Sequence, residues 1–138
     1  MRHPSGKISF GGLVLLTLVA GGIYLGVMFV PLYVDNLDVK EAVTAAFNRS
    51  PTSDDDSLRR LIIERTSDMG THWETDKFDQ DVLMPGLGLT DDHITIERSS
   101  VSPEVRIEVE YTRKVQLKPF NQVRIVRFNV VKDGIPGR

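Results

Sequence analysis

The chain has 138 residues, 17 Lys and Arg against 19 Asp and Glu, no cysteine, and 41% hydrophobic residues. That length excludes the large enzyme folds and leaves room for one modest domain. A formal charge of −2 provides no electrostatic footprint for nucleic acid.

The apolar residues are unevenly spread. No charged side chain occurs between Lys7 and Asp35, and every acid falls after that run. Residues 8–33 read ISFGGLVLLTLVAGGIYLGVMFVPLY, which would extend roughly 39 Å as one helix. A hydrocarbon core is about 30 Å thick, so the run is long enough to span it. A soluble domain of this size seldom hides so long a helix on every side. A cleaved signal peptide would carry a shorter apolar region ending in small residues at −3 and −1. The best cleavage point, after Ala20, has Leu18 at −3, and apolar sequence continues past it. Retention as a transmembrane anchor is the expectation.

Arg2, Lys7 and the terminal amine precede the span, while Asp35 and Asp38 follow it. Basic residues are held on the cytoplasmic side. This predicts a cytoplasmic N-terminus over residues 1–7 and an extracytoplasmic domain over 34–138. Within the span, Gly11, Gly22 and Gly26 fall on one narrow stripe at 100° per residue, which permits close helix packing. Frequent glycine is also ordinary in membrane helices. Pro31 lacks a backbone donor and predicts a kink near the outer end.

Beyond the span, Val39, Ala42, Val43, Ala46 and Phe47 follow the spacing of an amphipathic helix. Asn36 or Asp38 can cap its start, unless span and stalk form one long helix bent at Pro31. The stretch NRSPTSDDD predicts a break, and Ser53 with Asp56 forms a weak capping box. A short helix follows, with Leu58, Leu61 and Ile62 on one face and Gly70 as its stop. Residues 71–92 show no usable period and read as a long loop. Its Asp76, Asp79 and Asp81 lack the spacing of a calcium loop. His72 and His93 lack a third ligand at helical or turn spacing, so no metal site is expected.

From Ile94 the period becomes two. Ile94 and Ile96 form one short strand, and the turn SSVSP follows. Val105, Ile107, Val109 and Tyr111 then face one way, with Glu104, Arg106, Glu108 and Glu110 on the other side. Arg113 interrupts the inner row before Val115 and Leu117 resume it. Residues 118–121 reverse the chain. In the last strand Val123 and Ile125 keep one phase, and Val126, Phe128 and Val130 the other. That slip predicts a bulge near Ile125 or a strand buried on both faces. The expected fold is α+β: a transmembrane helix continuing into an amphipathic helix, a short helix, and a three-stranded antiparallel meander.

Two resemblances bear on function. The span ending in Val30-Pro31-Leu32-Tyr33, with Val109-Glu110-Tyr111, Arg113 to Leu117, Phe120-Asn121 and Phe128, resembles a family of small bacterial membrane-anchored proteins. Members are often encoded beside signal peptidase and have no established activity. Thr112 and Gln116 stand where that family usually carries an acid and a proline, and the 71–90 stretch is longer than its pattern. The resemblance implies an inner-membrane location with the C-terminal domain in the periplasm, and it supplies no catalytic residue. The architecture also resembles type IV pilins, but no carboxylate follows Gly6 until Asp35, so the prepilin cleavage pattern is absent.

An enzyme requires positioned acids, bases, nucleophiles or metals. No Gly-x-Ser-x-Gly, phosphate loop or paired-histidine zinc motif occurs. The reading is therefore non-enzymatic, with no cofactor and no small-molecule substrate evident. An interaction or scaffolding protein needs an anchor, a stalk and a small surface, with the bilayer and other membrane proteins, or itself, as partners. The alternative is an accessory subunit of a larger envelope complex, possessing a pilin-like shape and joined through the glycine stripe.

Overall fold

The computed structural model describes residues 9–118 and 120–137. It is α+β, with one long N-terminal helix, a short second helix and a three-stranded antiparallel sheet. Helix α1 runs unbroken from Phe10 to Arg49, through Pro31. Ser9 caps it by accepting from the Gly12 amide at 3.1 Å, as a short hydroxyl side chain does at an orphaned helix start. Span and stalk are thus one helix. Asn36 and Asp38, expected as candidate caps, lie inside it, because no glycine or turn signal separates the two halves.

Helix α2, Asp55–Thr66, begins one residue later than the weak capping box predicts. Its cap is Asp54, which accepts from Ser57, and burial of Leu58, Ile62 and Thr66 seats one face. Gly70, at φ 60°, stands past the helix end and turns the chain into the next strand.

The stretch expected as irregular contains a second, small sheet. Strands β1, Thr71–Thr75, and β2, Asp81–Pro85, pair antiparallel with Trp73 opposite Leu83. The turn closes with Asp79 in the left-handed region at φ 55°, which Asp tolerates. Both strands are short and mostly exposed on both faces, so the alternation of a half-buried strand is missing from the sequence. The chain then runs back to the core, burying Leu87 and Leu89, and a single 3-10 turn leads into the main sheet.

Strands β3, Ile94–Arg98, β4, Val105–Leu117, and β5, Gln122–Gly134, form a meander with β4 in the middle. Its inner face presents Ile94, Ile107, Val109, Tyr111, Phe128 and Val130 to Val39, Val43, Ala46 and Phe47 of α1 and to Leu58 and Ile62 of α2. The register between β4 and β5 is continuous from Val105 opposite Gly134 to Leu117 opposite Gln122. There is no bulge at Ile125. Val126, Phe128 and Val130 point inward, while Val123 and Ile125 lie on the other face opposite Gln116 and Lys114. That face is open at this point: Val123 and Ile125 are 56% and 66% exposed. The strand is therefore apolar on both faces without being buried on both.

Candidate functional site

The most organised polar cluster lies where α1 crosses the middle of the sheet. Arg113 occupies an inward-facing position of β4, between Tyr111 and Val115, and is buried. Its Nη1 donates to Oδ2 of Asp35 on α1 at 2.8 Å. A charge in an inner row is tolerated only when it is paired. One helix position on, Asn36 Oδ1 accepts from the Tyr111 hydroxyl at 3.0 Å.

Tyr111 stacks on Phe128 with ring centroids 5.4 Å apart, and Phe128 in turn meets the edge of Tyr33 at 5.5 Å. Burial pushes the Tyr111 hydroxyl up to about 12, with Asp35 adding to the rise and Arg113 opposing it. Gly70 closes the cluster from a third side. A Cβ there would meet Asp35 Oδ2 at 2.6 Å and Arg113 Nη1 at 3.1 Å. A hollow of about 110 Å³ adjoins the cluster, lined by His72, Trp73, Thr112 and Arg113 among others. The Arg113–Asp35 and Tyr111–Asn36 bonds together join helix to sheet.

A second polar joint fixes the other end. Arg98, the last residue of β3, donates to Asp55 Oδ1 at 2.7 Å and to the carbonyls of Ser50 and Ser53 at 2.9 Å each. One guanidinium thus spans the whole α1–α2 connection, which its planar fork of five donors allows.

The histidines are engaged separately. His72 Nδ1 lies 2.7 Å from the Gly86 carbonyl, and its ring packs against Gly88, whose left-handed φ of 65° admits no Cβ there. His93 Nδ1 bonds Thr90. Asp76 and Asp79 shape the β1–β2 turn through backbone bonds, and Asp81 accepts from Thr75. Among the described residues no three His, Cys, Asp or Glu side chains gather as a metal set.

The residues singled out in the span behave differently. Helix α1 has a segment long and apolar enough to cross a membrane, none of it buried within the protein. A Cβ at Gly11, Gly22 or Gly26 would meet nothing within 4 Å, so the described residues leave the stripe uncovered. Pro31 continues the helix. The outer end of the predicted span is partly covered, because Met28, Phe29 and Leu32 pack on the core. Lower still, the Tyr24 hydroxyl donates to the carbonyl of Lys118 at the tip of the β4–β5 hairpin.

Sequence reasoning missed the pairings Asp35–Arg113, Asn36–Tyr111 and Tyr24–Lys118. The one available signal was Arg113 itself, a charge in an apolar alternation. No family model, curated protein or solved structure matches this chain.

Proposed function

We propose that this protein is a non-enzymatic, membrane-anchored interaction or scaffolding protein of the bacterial envelope. Its N-terminus lies in the cytoplasm and its α+β module in the periplasm. One observation carries the reading: a single continuous helix passes from an uncovered apolar segment into the core of a folded module. With Asp35 locked to Arg113, the module cannot swing freely on its anchor. It is held as a rigid continuation of the membrane helix. Such a build suits presenting a surface at a set height above the bilayer. Arg2 and Lys7 close before the span support the orientation. The family resemblance adds short motifs in the same sense.

The accessory-subunit reading is favoured by one feature, the glycine stripe that none of the described residues covers. In lipid, helices associate through close backbone approach and dispersion, which small residues permit.

Two measurements test these readings. A reporter active only in the periplasm, fused after Arg138, is expected to be active, and a cytoplasmic reporter silent. The reverse pattern overturns the orientation, and soluble periplasmic protein beginning at Gly21 overturns the anchor. Purification in mild detergent separates the alternatives. A lone or self-paired chain supports the scaffold, while stoichiometric membrane partners support the subunit.

A further inference from the structure

We infer that the tip of the β4–β5 hairpin is a second membrane contact, inserted into the outer-leaflet interface beside the spanning helix. The inference rests on α1 being a membrane anchor and adds a lipid-binding surface to it.

The argument begins with height. Counting from Phe10, a hydrocarbon core about 30 Å thick is crossed by about twenty residues of helix, ending near Val30. Tyr24 then lies about 9 Å below the outer boundary of the hydrocarbon. Its hydroxyl bonds the Lys118 carbonyl, so the hairpin tip is held at that depth. Raising Tyr24 clear of the lipid would leave only about 21 Å of helix between it and Phe10.

The surface chemistry of the tip agrees. Phe120 is 79% exposed, and Val123 and Ile125 project from the outer sheet face opposite Gln116 and Lys114. These are the out-of-phase apolar residues that the fold leaves without an interior partner. At about 3.3 Å per strand residue, a 9 Å insertion takes in the turn and roughly three residues on each arm. That reaches Val123 and leaves Ile125 near the boundary. Lys114 and Lys118 carry long basic side chains on this same outer face, suited to reaching phosphate head groups from an apolar bed. Trp73 shares a hollow of about 220 Å³ with Lys114, Gln116 and Val123, and tryptophan favours the head-group level. The Tyr24–Lys118 bond gives one turn carbonyl and one phenol hydroxyl a partner at the interface.

The test uses the full chain in vesicles of phosphatidylethanolamine and phosphatidylglycerol whose acyl chains are brominated near the carboxyl end. Trp73, the single tryptophan, is first replaced by Phe. One tryptophan is then placed at Phe120, at Leu16 within the span, or at Val101, which lies in the β3–β4 turn and is 93% exposed. Bromine quenching is expected for Leu16→Trp and Phe120→Trp and absent for Val101→Trp. Quenching at Leu16 without quenching at Phe120 overturns the hairpin contact and leaves the anchor standing. No quenching at Leu16 overturns the anchor, and the hairpin inference with it. A Phe120→Trp signal shielded from aqueous iodide but not quenched by bromine assigns the tip to a protein neighbour and overturns the lipid contact.

Discussion

Arg113 on the central strand and Asp35 on the long helix meet at 2.8 Å, with both side chains largely withdrawn from water. The pair sits just past the apolar span, so the contact that stabilises the module also sets its angle to the apolar half of the helix. Removing one partner leaves the other charge partly buried and uncompensated. Arg113→Met is expected to destabilise the protein by about 3 kcal/mol. Adding Asp35→Leu should recover much of that loss. Urea unfolding of the full chain in detergent measures both. A double-variant loss equal to the sum of the Arg113→Met and Asp35→Leu losses would show that the pair is energetically idle.

Gly70 admits no side chain, because its φ is 60° and a Cβ would press on the same ion pair. A left-handed residue other than glycine costs about 1–2 kcal/mol before any clash. Gly70→Ala should therefore lose about 2 kcal/mol or more, and Gly70→Asn less backbone energy for the same crowding. A thermal melt distinguishes them. An Ala variant as stable as the parent would contradict the left-handed geometry.

Tyr111 provides a pH signature. Its hydroxyl is raised to about 12 in the folded state, against about 10 for an unburied tyrosine. The native state therefore holds this proton more tightly than the unfolded chain. Its contribution to stability is complete below about pH 10 and is lost as pH rises through 12. The parent should lose stability faster than Tyr111→Phe between pH 10 and 12, read as unfolding midpoints at each pH. Parallel curves would remove the effect. At the acid end, hydrogen bonds from Ser57 to Asp54 and from Asn129 and Arg106 to Glu108 hold those carboxyls below their ordinary range. Their contributions are present above the usual carboxylate pKa and fade as pH falls.

Arg98 ties the α1–α2 connection through three acceptors. Arg98→Lys keeps the charge but loses the fork, and should cost about 1–2 kcal/mol. Hydrogen exchange at Ser53 to Ser57 is expected to quicken in that variant. Unchanged exchange there would show that the turn holds itself.

None of the described residues covers the glycine stripe, so changes there test association without disturbing the fold. Gly22→Leu with Gly26→Leu should weaken crosslinking to itself or to a partner span. Val19→Leu with Val27→Leu should leave crosslinking intact. If the glycine variant associates as the parent does, the accessory-subunit reading loses its support.

Much of this fold is legible in the sequence, because its signals are long and strictly periodic. The uncharged apolar run, the helical spacing from Val39 to Phe47, and the two-residue alternation from Val105 to Tyr111 each encode one element and its buried face. These patterns yield the α+β architecture and the meander. The β1–β2 hairpin escaped because its strands are short and exposed on both faces, so no alternation marks them. The phase slip at Val123 and Ile125 was visible, but its cause was not. An unbroken register turns both residues outward, onto an exposed face. The same holds for Asp35, Asn36, Tyr111 and Arg113. Sequence periodicity assigns a residue to a face of its own element, whereas these pairings join positions more than seventy residues apart. They depend on the distance and angle at which helix and sheet pack, and that geometry emerges only when the whole core is assembled.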